Sequence, residues 1–312
     1  MWQSMKRLRL EVVESDHDTI SCFSVVSTPI SSPLATPPKK ARSPLRRDVP
    51  WYSAVQRQGK RRDLQDMCKI DLDSPFGPFF GVFDGHGKDG LEFASFAAKR
   101  FPELIQKNLE ALDLKEAIRV SFPQLDQEMC SEHSLLSKKL GGTTALVAVV
   151  SVDSNQIVVG HVGDCRAVAS RSDPLQLVEI TRDHVVNNEE ERERIEYAGG
   201  FVIQLGGCWR VSGELALSRS LGDLQYKSSG LLTAEADVWS CQLKDESGDR
   251  TYDYLILGSD GFFKNITEDS IQKILSRNQN ASHAASRLLS LTRGSSDDVS
   301  VVVINLKDLK QT

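Results

Sequence analysis

The chain has 312 residues, 40% of them hydrophobic and 26% charged, with a formal net charge of −5. This length suits one large domain or two, and the apolar content is enough for a substantial core. The acidic balance argues against a general affinity for nucleic acid, and the absence of any run of 18 apolar residues argues against a membrane-spanning helix. Six cysteines without C-x-x-C spacing, and no signal peptide, predict free thiols in the cytoplasm or nucleus, and nothing demands more than a monomer.

The first 48 residues differ in composition from the rest, and their richness in Ser, Thr and Pro predicts a disordered regulatory tail. Near its start, basic residues precede a Leu-x-Leu pair, formed by Lys6, Arg7, Leu8 and Leu10. In an extended peptide both leucines point to one side, where they can dock into a partner's groove. The pattern resembles the docking motif of mitogen-activated protein kinase partners; the alternative is a chance basic patch.

The same tail has four Ser-Pro or Thr-Pro dipeptides, which are candidate sites for proline-directed kinases. The basic run Pro38-Lys39-Lys40-Ala41-Arg42 is either a nuclear signal or simple solubilising charge. The tail, residues 1–48, is therefore assigned to regulation or docking, and residues 49–312 to a catalytic domain.

The folded part begins with a predicted strand at 53–58, and a basic stretch that includes Arg61 follows it. An arginine at a strand end can bind a phosphoryl group with two parallel hydrogen bonds, although ordinary surface charge is the alternative. Farther along, helical spacing of apolar residues predicts two covering helices at 91–112 and 114–129.

Between these segments, the apolar run 79–83 predicts a buried strand that stops at Asp84. The next residues are Gly85, His86 and Gly87, and the glycines allow the backbone to approach a ligand closely. A rigidly held carboxylate beside a free carbonyl suits a hard cation, whereas an isolated Asp-Gly is usually only a turn.

A hairpin is predicted from 145–152 and 156–162, with its turn at Asp153-Ser154-Asn155. The stretch 163–166 is expected to interrupt the second strand before 167–169 resumes it. Asp164 within this stretch is either a turn residue or a further site carboxylate.

Helices are predicted at 188–197, 266–275 and 281–293, with Thr267 as a helix-capping candidate. The charges of the first are interpreted as a solvated face. Because strands come in hairpins and helices in pairs, the pattern favours a mixed α+β fold over parallel βαβ winding.

The strand-then-acid pattern recurs twice in the second half of the chain. An apolar strand at 254–257 leads to Asp260, and Asp297 stands just before the strand 299–304. Acids at the ends of neighbouring strands can converge, and oxygen ligands without a His or Cys cluster favour magnesium or manganese over zinc.

Several ordered stretches resemble the type 2C, metal-dependent Ser/Thr protein phosphatases across residues 51–306. They are Phe80–Gly87, Gly141–Ala145, His161–Arg166, Leu215–Asp223, Ser259–Gly261 and Asp297–Ser300. The resemblance implies two central antiparallel β-sheets sandwiched between helical layers, with the metals at one edge.

The resemblance also implies two Mg²⁺ or Mn²⁺ ions, bridged by Asp84. Asp260 and Asp297 would complete one ion and the Gly85 carbonyl would support the other. Two such ions lower the pKa of a shared water, so that hydroxide can attack phosphorus in line.

Further roles follow from the same resemblance. Arg61 would hold the phosphate oxygens, His86 would protonate the departing alkoxide, and Asp66, next to Gln65, would orient metal-bound water. A flap, from about His184 to Val211, would help to choose substrates.

The chain departs from the family pattern at three positions. Gln65 stands where relatives have Glu, and Asp298 where they have Asn. Lys264 replaces an acid that in relatives lies near a third metal beside the equivalent of Asp164, which argues against a third ion here. The sequence therefore predicts a phosphoserine/phosphothreonine phosphatase that opposes kinase signalling. The alternative is a weak or inactive phosphatase-like module that binds and sequesters a kinase.

Overall fold

The computed structural model describes residues 20–21, 50–171, 176–277 and 280–309. The docking residues Lys6, Arg7, Leu8 and Leu10 lie outside this range. Within it the chain forms two antiparallel sheets, a separate β-hairpin and seven α-helices. No helix in these ranges combines the length and apolar character needed to span a membrane.

The strands in chain order are β1 (Ile20–Ser21), β2 (Tyr52–Arg57), β3 (Asp66–Asp71), β4 (Phe79–Gly87), β5 (Gly141–Thr143), β6 (Ala145–Ser151), β7 (Gln156–Val162), β8 (Arg166–Arg171), β9 (Gln176–Glu179), β10 (Val202–Leu205), β11 (Cys208–Val211), β12 (Leu221–Gly222), β13 (Asp237–Gln242), β14 (Tyr254–Gly258) and β15 (Val299–Asn305). The helices are α1 (Gly90–Asn108), α2 (Leu114–Cys130), α3 (Glu189–Tyr197), α4 (Leu224–Lys227), α5 (Asp260–Phe263), α6 (Glu268–Arg277) and α7 (Ala281–Leu291).

Apart from the hairpin β10–β11, these strands form two sheets. The first sheet has the order β1-β2-β15-β14-β8-β9. The second has the order β12-β5-β4-β6-β7-β13, and β3 also pairs with β4. β1, which belongs to the segment predicted to be disordered, pairs with β2 through Ile20 opposite Gln56.

Strand β6 shows how the layers stack. All seven of its residues are buried, because both faces of its sheet are covered. Leu146, Ala148 and Val150 point into the core between the sheets, whereas Val147 and Val149 point into the core under α1 and α2.

A third core lies on the outer side of the first sheet, where β14 and β15 pack against α6 and α7. The order of layers is therefore helices, sheet, sheet, helices. This arrangement confirms the predicted α+β fold with two central antiparallel sheets.

The predicted helices are present, with ends shifted by a few residues. α1 ends at Asn108, short of the predicted 112, and α7 ends at Leu291 instead of 293. Thr267 caps α6 as expected, since its Oγ1 accepts a hydrogen bond from the Ser270 N–H at 3.3 Å.

The prediction that residues 167–169 resume the strand of 156–162 is wrong. β7 belongs to the second sheet and β8 to the first, so the chain crosses between sheets at 163–165. Gly163 has φ +99°, a conformation that redirects the chain and favours glycine. An apolar pattern on both sides of a turn does not reveal which sheet each strand joins.

The interpretation of the charges of α3 as a solvated face is also wrong for one residue. Glu191 is only 3% exposed and binds Arg219 through two hydrogen bonds of 2.9 and 2.6 Å. Glu191 in the flap is therefore paired with Arg219 outside it, and a small apolar core joins the flap to residues beyond it; this core is formed by Val186, Ile195, Val211, Tyr226 and Leu232.

Candidate active site

Two aspartates face each other at the end of the second sheet. Asp66 on β3 is paired in register with Asp84 on β4, so both side chains lie on the same face of the sheet. The backbone of Asp84 is fixed by Thr144, whose Oγ1 accepts from the Asp84 N–H at 3.0 Å and whose N–H donates to the Asp84 carbonyl at 2.9 Å. His86, two residues farther along β4, shares this face.

The first sheet brings Asp260 and Asp297 to the same edge of the sandwich. β14 and β15 are antiparallel neighbours, so the residues after β14 lie beside those before β15. Gly261 makes this approach possible, because a Cβ there would lie 2.0 Å from the Asp298 carbonyl oxygen. No other residue type fits without moving the backbone.

Asp164 lies in the segment where the chain crosses from the second sheet to the first. This segment leads into β8, which pairs with β14 through Arg166 opposite Gly258. The first residue of the flap, His184, fixes this turn. Its N–H donates to the Gly163 carbonyl at 2.9 Å, and its Nδ1 accepts from the Gly163 N–H at 3.2 Å. Asp164 is thus held by the backbone and contributes a further carboxylate to this edge.

The electrostatics show that these five acids are close together. Burial raises the pKa of Asp84 well above its usual value, and the charges of Asp66, Asp260, Asp164 and Asp297 raise it further. Burial and then Asp260 likewise raise the pKa of Asp164. The acids repel one another, so the cluster needs a positive partner.

The donor set fits a hard divalent cation. Within the described residues, Asp66 Oδ1 and Asp260 Oδ1 are buried without a hydrogen-bond partner, and every candidate ligand is an oxygen. In the same ranges, no three His, Cys, Asp or Glu side chains already form a cage for a metal ion. Instead, Asp297 pairs with Arg61 at 2.7 Å, and Asp260 pairs with Lys264.

Gly85 follows Asp84 on β4 and offers only backbone atoms to this edge of the sandwich. Its N–H donates to the Gln65 carbonyl at 3.2 Å, and a Cβ would lie 2.4 Å from the Gly90 carbonyl oxygen. Only glycine fits here without moving the backbone, which explains why position 85 is a glycine. The role of its carbonyl as a metal ligand stays a prediction, as do those of Asp84, Asp260 and Asp297.

Arg61 lies on a loop that Asp298 anchors. The two carboxylate oxygens of Asp298 accept the N–H groups of Gly59 and Gln65, each at 2.8 Å, and Asp298 is only 2% exposed. One buried carboxylate therefore fixes both ends of the loop 59–65. The Arg61 guanidinium, with its side chain 45% exposed, lies over Asp297 at the entrance to the cluster.

Gln65 turns its side chain along the edge of β4. Its Nε2 donates to the Gly87 carbonyl at 3.0 Å. A glutamate could not make this contact, because a carboxylate has no proton to donate. The amide at this position thus has a structural partner of its own.

His86 has a partner that the sequence did not predict. Its Nε2 lies 2.7 Å from Asp223 Oδ2, which also accepts from Ser220 Oγ at 2.6 Å. Burial alone would raise the pKa of Asp223, but His86 and Ser220 lower it overall. Gly142 leaves room for this carboxylate, since a Cβ there would lie 2.4 Å from Asp223 Oδ2. The Gly-Asp pair at the end of the 215–223 motif was the available signal, although it does not identify the partner.

A second pair that sequence reasoning missed lies behind Asp164. Arg166 forms two hydrogen bonds to Asp183, at 2.7 and 2.6 Å. The alternation of apolar and charged residues does not reveal such a pair. It connects the start of β8 to the segment that leads into the flap.

Comparisons with known proteins agree with this geometry. A model of the family described as protein phosphatase 2C matches residues 55–299. The rice (Oryza sativa subsp. japonica) protein named probable protein phosphatase 2C 32 is 32% identical over 290 residues, which cover 86% of this chain and 70% of that protein. Probable protein phosphatase 2C 69 of Arabidopsis thaliana is 32% identical over 265 residues, which cover 83% and 71%.

Solved structures show the same fold. A sex determining protein of C. elegans superposes with a TM-score of 0.70 at 25% identity, covering 82% of this chain and 64% of that one. The serine-threonine phosphatase 2C of Toxoplasma gondii superposes with a TM-score of 0.66 at 21% identity, covering 81% and 94%.

A two-sheet sandwich with an aspartate cluster at one edge, an arginine at its entrance and a histidine beside it defines a metal-dependent phosphatase. The chain belongs to the protein phosphatase 2C family of protein serine/threonine phosphatases. Its substrates are accordingly phosphoproteins.

Proposed function

We propose that this chain hydrolyses phosphoserine and phosphothreonine in proteins with two divalent cations, Mg²⁺ or Mn²⁺, held by Asp84, Asp260, Asp297 and the Gly85 carbonyl. The observation that supports this most is the convergence of five aspartates from both sheets on one edge. When bound, such ions supply a hydroxide nucleophile at neutral pH and offset the charge of the phosphoryl group.

The chain's own residues support the remaining steps of the proposal. Arg61 binds and orients phosphate oxygens at the entrance, because its exposed guanidinium can form two parallel hydrogen bonds. Asp66, fixed by Ser300 Oγ at 2.6 Å, orients solvent in the cluster. His86, held by Asp223, donates a proton to the departing Ser or Thr oxygen.

Hydrolysis of phosphopeptides tests this proposal. The purified chain is treated with a chelator and assayed on phosphothreonine, phosphoserine and phosphotyrosine versions of one peptide while Mn²⁺ or Mg²⁺ is added back. We expect phosphate release from the first two peptides only, and only with metal. Turnover that survives the chelator, or that prefers phosphotyrosine, would contradict it.

A second candidate is a weak or inactive module that binds and sequesters a kinase. Gln65 and Lys264 favour this second candidate. Gln65 replaces a carboxylate with an amide, and Lys264 forms an ion pair with Asp260. The discriminating variant is Gln65→Glu, assayed with the same peptides. No turnover in the parent but clear turnover in Gln65→Glu would favour the sequestering module, and comparable turnover in both would exclude it.

We further propose that the substrate is a component of kinase signalling in the cytoplasm or nucleus, with a mitogen-activated kinase docked on the tail. The support is the pattern formed by Lys6, Arg7, Leu8 and Leu10. The test compares dephosphorylation of an intact phosphorylated kinase with that of a short phosphopeptide. The double change Leu8→Ala and Leu10→Ala should slow only the former, with Leu34→Ala as the matched control; equal rates on the kinase would reject docking.

A further inference from the structure

Lys264 has a fixed backbone position at the end of α5. Phe262, two residues earlier, is fully buried in the core that also contains α7. Asn265, the next residue, donates through Nδ2 to the Gly261 carbonyl at 2.9 Å and to Ser295 Oγ at 3.2 Å. The backbone of Lys264 is therefore held in place beside the acidic cluster.

The side chain of Lys264 reaches back along α5 to Asp260 Oδ2, four residues earlier. The other oxygen of that carboxylate, Oδ1, is the one that is buried without a partner in the described residues. Lys264 Nζ is thus the cationic partner of a carboxylate that has one oxygen still unpaired. Lys264 therefore places a positive charge directly against one of the five acids.

We propose that Lys264 is a built-in counter-ion of the acidic cluster, which stabilises the protein without metal and competes with divalent cations for Asp260. This inference rests on the proposed function, because it concerns the same carboxylates. It makes Lys264 a positioning residue that tunes metal affinity, and not a group that touches the substrate.

On Asp260, Lys264 and a divalent cation would exchange for each other. Without Lys264, Arg61 on Asp297 would be the one direct ion pair to the five acids among the described residues, so their repulsion would be less offset. The tether keeps the Lys264 ammonium at a high effective concentration, and a metal ion that binds Asp260 Oδ2 has to displace it. The side chain is 64% exposed, so its flexible stem can swing into solvent when displaced.

The test uses Lys264→Met, which keeps the length of the stem and removes the charge, with Lys264→Arg as the charge-conserving variant. Lys115→Met, an exposed lysine on α2, is the matched control. Melting temperatures are measured after chelation, and Mn²⁺ is then titrated calorimetrically into each protein.

We expect Lys264→Met to melt about 2–4 °C below the parent without metal, as the loss of one partially exposed ion pair in a domain of this size implies. Its Kd for Mn²⁺ should fall about 3- to 10-fold, because the competitor is gone. Lys264→Arg and Lys115→Met should stay near the parent in the chelated state.

An unchanged melting temperature, or a Kd for Mn²⁺ that is unchanged or weaker in Lys264→Met, overturns the inference. A failure of the proposed function alone has a different signature: Mn²⁺ binds and Lys264→Met binds it more tightly, but no protein releases phosphate from a phosphothreonine peptide.

Discussion

His86 and Asp223 form a pair whose geometry defines a role for each. Asp223 is 5% exposed and keeps its charge, because its pKa is lowered by His86 and Ser220 despite burial. A charged carboxylate 2.7 Å from Nε2 fixes the orientation of the imidazole ring.

Replacing Asp223 with Asn tests this pair. The residue has φ +52°, which asparagine tolerates, so the backbone should survive the change. We expect kcat on a phosphothreonine peptide to fall about 10- to 100-fold, because proton donation weakens. On p-nitrophenyl phosphate, whose leaving group needs no proton, the fall should be small. Equal losses on both substrates would show that Asp223 does not act through proton transfer.

Asp298 supports a graded prediction for the loop that carries Arg61. Alanine removes both acceptors for the Gly59 and Gln65 N–H groups, whereas asparagine keeps one. Each buried N–H left without a partner costs about 1–3 kcal/mol. We expect KM for phosphopeptide to rise in the order parent, Asp298→Asn, Asp298→Ala, and the melting temperature to fall in the same order. If both variants match the parent in KM, the loop is held by other contacts.

At the scale of elements, the flap is joined to the body through the ion pair of Glu191 and Arg219. Burial alone would raise the pKa of Glu191, but its hydrogen bonds to Arg219 and the charge of Arg194 lower it to about 2, from 4.5. A lowered folded-state pKa stabilises the fold above about pH 4.5, and this contribution is lost as the pH falls towards 2.

The corresponding variant is Glu191→Gln, which removes the buried carboxylate from Arg219 and leaves it the exposed partner Asp237. Breaking a buried pair from one side costs about 3–5 kcal/mol when the remaining charge has no other partner, and less here because Arg219 keeps Asp237. We therefore expect faster proteolytic cleavage in 184–211 at pH 7. As the pH is lowered from 5 to 3, the parent's cleavage rate should rise towards that of the variant, whose own rate changes less. Identical cleavage of the two proteins at pH 7 would mean that the pair does not hold the flap.

Strands with a clear apolar pattern could be predicted from the sequence. Features that depend on which distant strands pair with each other could not. β4, β14 and β15 are apolar runs bounded by Asp and Gly, so both the strands and the acids at their ends were evident. The crossing from β7 to β8 was not, because both strands are apolar and nothing in their pattern distinguishes their sheets. Sheet membership depends on long-range pairing that local patterns do not contain.

The same division holds at the scale of the whole molecule. The residue pattern alone predicted a mixed α+β fold with acids at strand ends, and the family resemblance implied the two-sheet sandwich and the edge where the acids meet. The contacts that orient the site join residues far apart in the chain, such as Asp298 with Gly59 and Asp223 with His86. They depend on side-chain positions that only the packed layers define.

The fold thus gathers acids from two sheets, and within the described residues two cations pair directly with them, Arg61 with Asp297 and Lys264 with Asp260. Asp84 lies among the other four acids, whose charges all raise its pKa. A cluster of this composition explains why the whole molecule should depend on divalent metal for activity. Asp84 is the residue on which that dependence should rest most heavily.

The most direct measurement is phosphate release from a phosphothreonine peptide across a Mn²⁺ titration, for the parent, Asp84→Asn and Asp153→Asn. Asp153 lies in the exposed turn between β6 and β7 and serves as the matched control. We predict saturable, Mn²⁺-dependent turnover for the parent and Asp153→Asn, and at least about 100-fold less for Asp84→Asn at every concentration. Turnover by Asp84→Asn close to that of the parent would contradict a reaction that depends on metal held by this carboxylate.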